Sequence, residues 1–158
     1  SQYRNTYSER KRGYIDALLE ADLVVDESLI TETNLSFEEG EAVANTLFDL
    51  PNPPDGIFAS NDTAAVGAIQ VAKRRGLKIP EDIAIIGFND DPIASIIDPG
   101  LTTISHPAVK MGQTSAKKIL NHLKTAKKSP DGPKKDSITE VTFLNTQVLV
   151  RASSNRGK

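Results

Sequence analysis

The stretch IAIIGFNDDP, Ile83 to Pro92, is an apolar run that empties directly into Asn89-Asp90-Asp91. The stretch GIFASND, Gly56 to Asp62, ends the same way, in Asn61-Asp62. Ile83 to Phe88 is too apolar to have a wet face, as expected of a strand in a parallel sheet covered on both sides. Between the two runs, Thr63 to Arg75 carries Val66, Ile69 and Ala72 at helical spacing, with Gly76 placed to end the helix. Strand, helix, strand in that order is a βαβ unit, and the predicted class is α/β with a largely parallel, Rossmann-like sheet in three αβα layers.

The elements outside this unit follow the same alternation. Thr6-Tyr7-Ser8-Glu9 and Ser36-Phe37-Glu38-Glu39 have the form of capping boxes. The first opens a helix with a stripe of Tyr14, Leu18 and Leu19. The second opens one with Val43, Leu47 and Leu50 on one side, stopped at Pro51. Ser28 to Thr33 alternates loosely, as a short strand would. Thr102 to Ser105 reads as a strand, and Val109, Gly112, Ala116, Ile119, Leu120 and Leu123 line one face of a long helix. A polar loop is expected over Lys124 to Ser137, with extended chain at Ile138 to Phe143 and Gln147 to Arg151.

Composition narrows the function. A chain of 158 residues is of single-domain size and can bury a core. With 19 basic and 21 acidic side chains, net −2, it has no basic face of the kind an unaided DNA-binding domain needs. There is no cysteine, so disulfides and thiolate chemistry are excluded. No apolar run approaches the roughly 20 residues of a membrane helix. The polar opening without a start methionine reads as a piece of a longer protein.

Parallel strands all end at one edge, and ligands bind in the crevice outside it. Asn61-Asp62 and Asn89-Asp90 are therefore expected close together. Arg10, predicted in the first turn of the first helix, belongs to the same edge. A cation there opposes the helix dipole, which points to an anionic or hydroxyl-rich neighbour. Each residue also has a plainer reading. Asn61 or Asp62 caps the helix that follows, Asn89-Asp90-Asp91-Pro92 is a turn, and Arg10-Lys11-Arg12 is a solvated face. It is their joint occurrence at one edge that favours a site. Amide, carboxylate and guanidinium together suit a polyhydroxylated ligand. No nucleophile elbow, phosphate-binding loop, dinucleotide fingerprint or metalloprotease motif is present. Neither enzyme activity nor a cofactor or metal is expected. A rival reading puts Mg²⁺ on Asp62, Asp90 and Asp91, as in an α/β enzyme or receiver-like domain.

The series Arg10-x-x-Gly13-Tyr14, Ala59-Ser60-Asn61-Asp62-x-x-Ala65-x-Gly67 and Gly76-x-x-Ile79-Pro80-x-Asp82-Ile83 resembles the LacI/GalR family of bacterial transcription regulators. The resemblance continues through Ile86-Gly87-Phe88-Asn89-Asp90, Pro99-x-Leu101-Thr102-Thr103-Ile104 and Leu149-Val150-Arg151-Ala152-Ser153-Ser154, in order along nearly the whole chain. It implies one lobe of a periplasmic-binding-protein-like effector domain. Residues 1–105 would form the C-terminal lobe. Residues 106–137 would be a hinge crossover and a helix of a largely missing N-terminal lobe, and residues 138–158 the return strands and tail.

The resemblance also implies a cytoplasmic homodimer that senses a sugar or nucleobase-type metabolite, a sugar-like effector being expected here, and touches operator DNA only through a missing headpiece. The rival of the same fold is a secreted solute-binding protein. Arg10, Asn61 and Asn89, with Asp62 and Asp90 beside them, would face the ligand, and His106 would join from the hinge. Two departures bear on the ligand. Asn89 stands where the family usually has Asp, and Leu35 where it often has an aromatic ring, so the hydroxyl pattern and the stacking differ. The long helix would lack its native cover, so the chain is expected to self-associate through it or leave it detached.

Overall fold

A computed structural model describes residues 3–128 and 141–157. Residues 1–104 with 148–158 form one compact unit, and residues 105–147 a second. The division at 147/148 runs through the segment expected to act as one closing piece.

In the first unit, β1 (Gly56–Phe58) and β2 (Ala84–Ile86) pair in parallel, with Ile57 opposite Ile85. A parallel bridge between Ile86 and Thr102 extends the sheet toward β3 (Thr103–Ser105), which pairs in turn with β4 (Gln147–Leu149). Helix α3 (Asp62–Arg74) connects β1 to β2, as expected of a parallel crossover. It is buried along almost its whole length, with Ala65, Ile69 and Ala72 at 0% exposure beside Ile83, Ile85 and Leu101. Gly76, at φ 74°, follows the Arg75 C-cap in the left-handed conformation that ends such helices.

Helix α2 (Phe37–Phe48) packs on α3. Ser36 caps it as expected, its Oγ accepting from the Glu39 amide at 3.2 Å. The buried face is not the predicted stripe of Val43, Leu47 and Leu50. It is Gly40, Ala44 and Leu47. The cause is close backbone approach. A Cβ on Gly40 would collide with the Ala64 backbone, and one on Gly67 with the Phe37 carbonyl. Two glycines set one into each helix bring the axes together, which a search for large apolar residues does not see.

Several expectations are corrected. Helix α1 (Tyr3–Glu20) already runs through Thr6, so Thr6 is not its cap, and Arg10 lies well inside the helix rather than in its first turn. Tyr14 and Leu19 of its expected stripe are exposed. Ser28 to Thr33 is not a strand. Asp26 caps a single 3₁₀ turn at Glu27–Leu29 because its carboxylate accepts from both the amide and the hydroxyl of Ser28. A short helix, α4 (Ile93–Ile96), follows the Asn89-Asp90-Asp91-Pro92 segment, where no element was expected.

In the second unit, α5 (Ala108–Lys128) extends beyond Leu123 through Lys124 to Lys128, where a loop was expected. Its predicted stripe is exposed, Val109 at 75% and Ile119 at 61%. Residues 141–146 have no regular structure, and the remainder of the expected strand at Ile138 lies outside the described residues.

Candidate functional site

The two strand ends meet. Asp62, the first residue of α3, is completely buried. Its Oδ2 accepts from the Asp91 amide at 2.7 Å and its Oδ1 accepts from the Thr103 hydroxyl at 2.6 Å. One carboxylate thus ties the end of β1 to the turn after β2 and to β3. Gly87 is required beside it, because a Cβ there would strike Asp62 Oδ1. Desolvating a carboxylate is costly unless its oxygens are satisfied, and here two strong donors satisfy them.

Asn61 is the N-cap of α3. Its Oδ1 accepts from the Ala64 amide at 2.8 Å, while its Nδ2 donates to the Leu35 carbonyl at 2.9 Å. Leu35 is held at φ 60°, an uncommon conformation for a branched side chain, and the Asn61 bond fixes the loop that carries it. The plainer reading of Asn61 as a cap is therefore correct as far as it goes. The same amide also anchors the loop facing the strand ends.

Arg10 parts company with its neighbours. Lys11 pairs with Glu32, and Arg12 with Glu9 and Asp16, all on the surface. Arg10 instead turns inward. Its Nη1 donates to the Ser60 carbonyl at 2.6 Å and its guanidinium lies 3.7 Å from the centre of the Phe88 ring. Among the described residues no carboxylate pairs with it. Burial lowers its pKa below the ordinary arginine value, with Tyr7 pulling slightly the other way, yet a guanidinium stays charged. A half-desolvated cation with spare N–H donors is left at the end of β1.

Asn89 and Asp90 follow Phe88 in a turn with φ of 121° and 60°. The Asn89 amide donates to the Ile104 carbonyl at 3.0 Å, while its side chain, half-buried, makes no hydrogen bond among the described residues. The Asp90 carboxylate is occupied, accepting from Arg151 Nη2 at 2.8 Å. His106 belongs to the second unit, where its carbonyl accepts from the Ala108 amide at the start of α5.

The structure thus separates the candidates. Arg10, Asn61 and Asn89 come together around Ser60 and Phe88 at the strand ends, with Arg10 and Asn89 keeping free hydrogen-bonding capacity. Asp62 and Asp90 hold the frame. Phe88, Thr103 and Arg151 take part without having been singled out as site residues. The only signal for them was membership of the motifs quoted above.

A parallel α/β unit that gathers polar groups at the carboxyl ends of adjacent strands belongs to the class of small-molecule-binding folds. A model of the periplasmic binding protein-like domain matches residues 2–154, and the chain belongs to that family, among the LacI-type regulators. It is 39% identical over 114 residues to the HTH-type transcriptional repressor CytR of Escherichia coli, covering 72% of this chain and 33% of the repressor. Among solved structures it is similar to the transcription regulator CcpA of Lactococcus lactis, with TM-score 0.77, 32% identity and coverage of 94% and 51% of the two chains. It is also similar to a LacI family regulator from Lactobacillus casei with bound sucrose, with TM-score 0.76, 26% identity and coverage of 93% and 51%. The chain spans about a third of the length of CytR.

Proposed function

We propose that the chain is the ligand-sensing portion of a LacI-type transcription regulator and takes a sugar-like metabolite at the ends of β1 and β2. The observation that carries this reading is an Asn89 carboxamide that makes no hydrogen bond among the described residues, after β2, and a partly buried Arg10 guanidinium held at Ser60 after β1, on a frame tied by Asp62. Donor–acceptor amide and donor-only guanidinium complement vicinal hydroxyls. The sugar bound in the Lactobacillus casei regulator supports the ligand class.

On this reading the effector alters operator binding by a cytoplasmic homodimer, with DNA contacted by a part of the parent protein outside this chain. On the same reading α5 would belong to the parent's other lobe. No enzymatic step is assigned. Two of the three carboxylates a Mg²⁺ site would need are engaged, Asp62 with the Thr103 hydroxyl and the Asp91 amide, and Asp90 with Arg151. Kinship to repressors favours a regulator over a transport-type binding protein of the same fold. No helix among the described residues is long and apolar enough to cross a membrane.

The test is an NMR titration of the chain with glucose, ribose and sucrose. Shifts centred on the amides of Ser60, Asn61, Asn89 and Asp90 are expected. Uniformly unmoved resonances at these positions would overturn the reading.

A further inference from the structure

The turn at Asn89-Asp90 needs an external clamp. Two successive non-glycine residues at positive φ persist only where their surroundings over-determine them. All three amides of the turn are engaged by neighbouring elements. Asn89 donates to the Ile104 carbonyl, Asp90 to the Thr103 hydroxyl at 3.3 Å and Asp91 to Asp62. Among the described residues, the turn's own side chains are tethered through the ion pair from Arg151 to Asp90.

Arg151 is itself fixed at three points. Its Nη1 donates to the Leu101 carbonyl at 2.8 Å, so the guanidinium forks between the β3 approach and the turn. Its amide donates to Thr102 Oγ1 at 2.8 Å, and its carbonyl accepts from that same hydroxyl at 3.0 Å. The pair with Asp90 is partly shielded, with the Arg151 side chain 24% and the Asp90 side chain 34% exposed. A forked guanidinium fixes direction as well as distance, which a lysine cannot do.

We infer that Arg151 is a positioning residue of the ligand site. It holds the Asn89-Asp90 turn in the geometry that aims the Asn89 carboxamide outward, without touching ligand itself. The inference rests on the reading that Asn89 meets the ligand. It adds a coupling that reading does not contain. The segment after β4 and the binding turn share one clamp, so ligand at Asn89 stabilises the Arg151 segment, and loosening Arg151 weakens ligand binding by the same factor.

The test measures amide hydrogen exchange and sugar affinity on the chain in four forms: wild type, Arg151→Met, Asn89→Gly and the double variant. Glucose, ribose and sucrose are the probes. Arg151→Met is expected to speed exchange at Asn89, Asp90 and Asp91 by about tenfold or more while leaving Ile69 and Ile83 unchanged, the signature of local opening. Affinity for whichever sugar moves the Asn89 resonance falls roughly tenfold in Arg151→Met, and Arg151→Met costs nothing further on the Asn89→Gly background, because coupled residues are non-additive. Arg151→Lys, which keeps the charge and loses the fork, shows the same pattern in smaller size and serves if the methionine variant fails to fold.

Unchanged exchange at residues 89–91, or an equal loss of affinity on both backgrounds, overturns the positioning role while leaving the site reading intact. A wild-type Asn89 resonance unmoved by all three sugars overturns the site reading, and this inference with it.

Discussion

Arg10 and Phe88, one from the first helix and one from the end of β2, meet face to face, the guanidinium 3.7 Å from the ring centre while its Nη1 donates to Ser60 at 2.6 Å. The ring shields one face of the cation and the carbonyl fixes its plane, so the remaining N–H donors point in a set direction. Arg10→Met should keep the fold, because the aliphatic stem can still cover the ring. It should weaken sugar binding by about five- to 150-fold, the equivalent of one charged hydrogen bond at roughly 1–3 kcal/mol. Calorimetric titration checks this, and undiminished affinity would count against Arg10 as a ligand contact.

Asn89 separates backbone from side-chain effects. At φ 121° glycine is unstrained, so Asn89→Gly should leave the unfolding midpoint nearly unchanged while lowering sugar affinity. Asn89→Val meets the backbone strain as well and should lose about 1–3 kcal/mol of stability. Urea unfolding of the two variants gives the comparison. Equal stabilities would mean that the turn readily leaves its left-handed geometry.

Asp62 is expected to be the most damaging single polar position in the first unit. Asp62→Ala strands the Thr103 hydroxyl and the Asp91 amide in a buried setting, at roughly 1–3 kcal/mol for each group. Denaturant melts should show a drop of that combined order. A loss under about 0.5 kcal/mol would indicate that other groups replace the carboxylate, as ordinary surface substitutions do.

Asp49 supplies a pH-dependent counterpart on the surface. The Arg75 guanidinium, 2.7 Å away, lowers its carboxyl pKa below the ordinary 3.8, mainly by hydrogen bonding. A carboxylate with a depressed folded pKa stabilises the fold at pH above its unfolded value, and that contribution disappears as pH falls through the folded one. Carbon-detected NMR titration should find Asp49 ionising below 3.8, and Arg75→Ala should return it to that value.

The apolar face of α5 is expected to seek cover. Ile119, Leu120 and Leu123 are each more than half exposed, and contiguous patches of this kind are rare on monomers. Sedimentation velocity should show association of the chain as its concentration rises, and Leu120→Glu with Leu123→Glu should abolish it. A wild-type chain that sediments as a monomer throughout would remove this face from consideration.

The parallel βαβ unit was legible because two signals coincided, an all-apolar run at Ile83 and apolar residues at i, i+3 and i+6, Val66, Ile69 and Ala72, which fall on one side of a helix. The meeting of the two Asn-Asp endings followed from topology alone. Roles within the meeting place did not. Sequence shows that Asn61, Asp62, Asn89 and Asp90 are polar, but which carboxylate a distant Thr103 or Arg151 will occupy depends on pairings 41 and 61 positions apart. Glycine contacts escaped for a different reason, since Gly40 and Gly67 matter for the side chain they lack. The start of α1 was misplaced because Thr6-x-x-Glu9 has the right residues for a cap while the helix is already under way.

Ser153 gives the first unit an unusual birth order. Its hydroxyl donates to the Ile85 carbonyl at 2.6 Å and accepts from the Thr102 amide at 2.8 Å, and its own carbonyl accepts from the Ile85 amide at 2.9 Å. Although β1 and Thr102 pair with the central strand sooner, its Ile85 amide and carbonyl therefore wait 68 positions for their partner. At a ribosome's pace of about 5–20 residues per second, β2 leaves the exit tunnel several seconds before that partner exists. During this interval the Ile85 amide and carbonyl leave a gap in an apolar strand edge, the kind of feature prone to mispairing. Codon usage between the two segments and access of a chaperone to Ile83–Ile86 would then bear on yield alongside the stability of the finished protein.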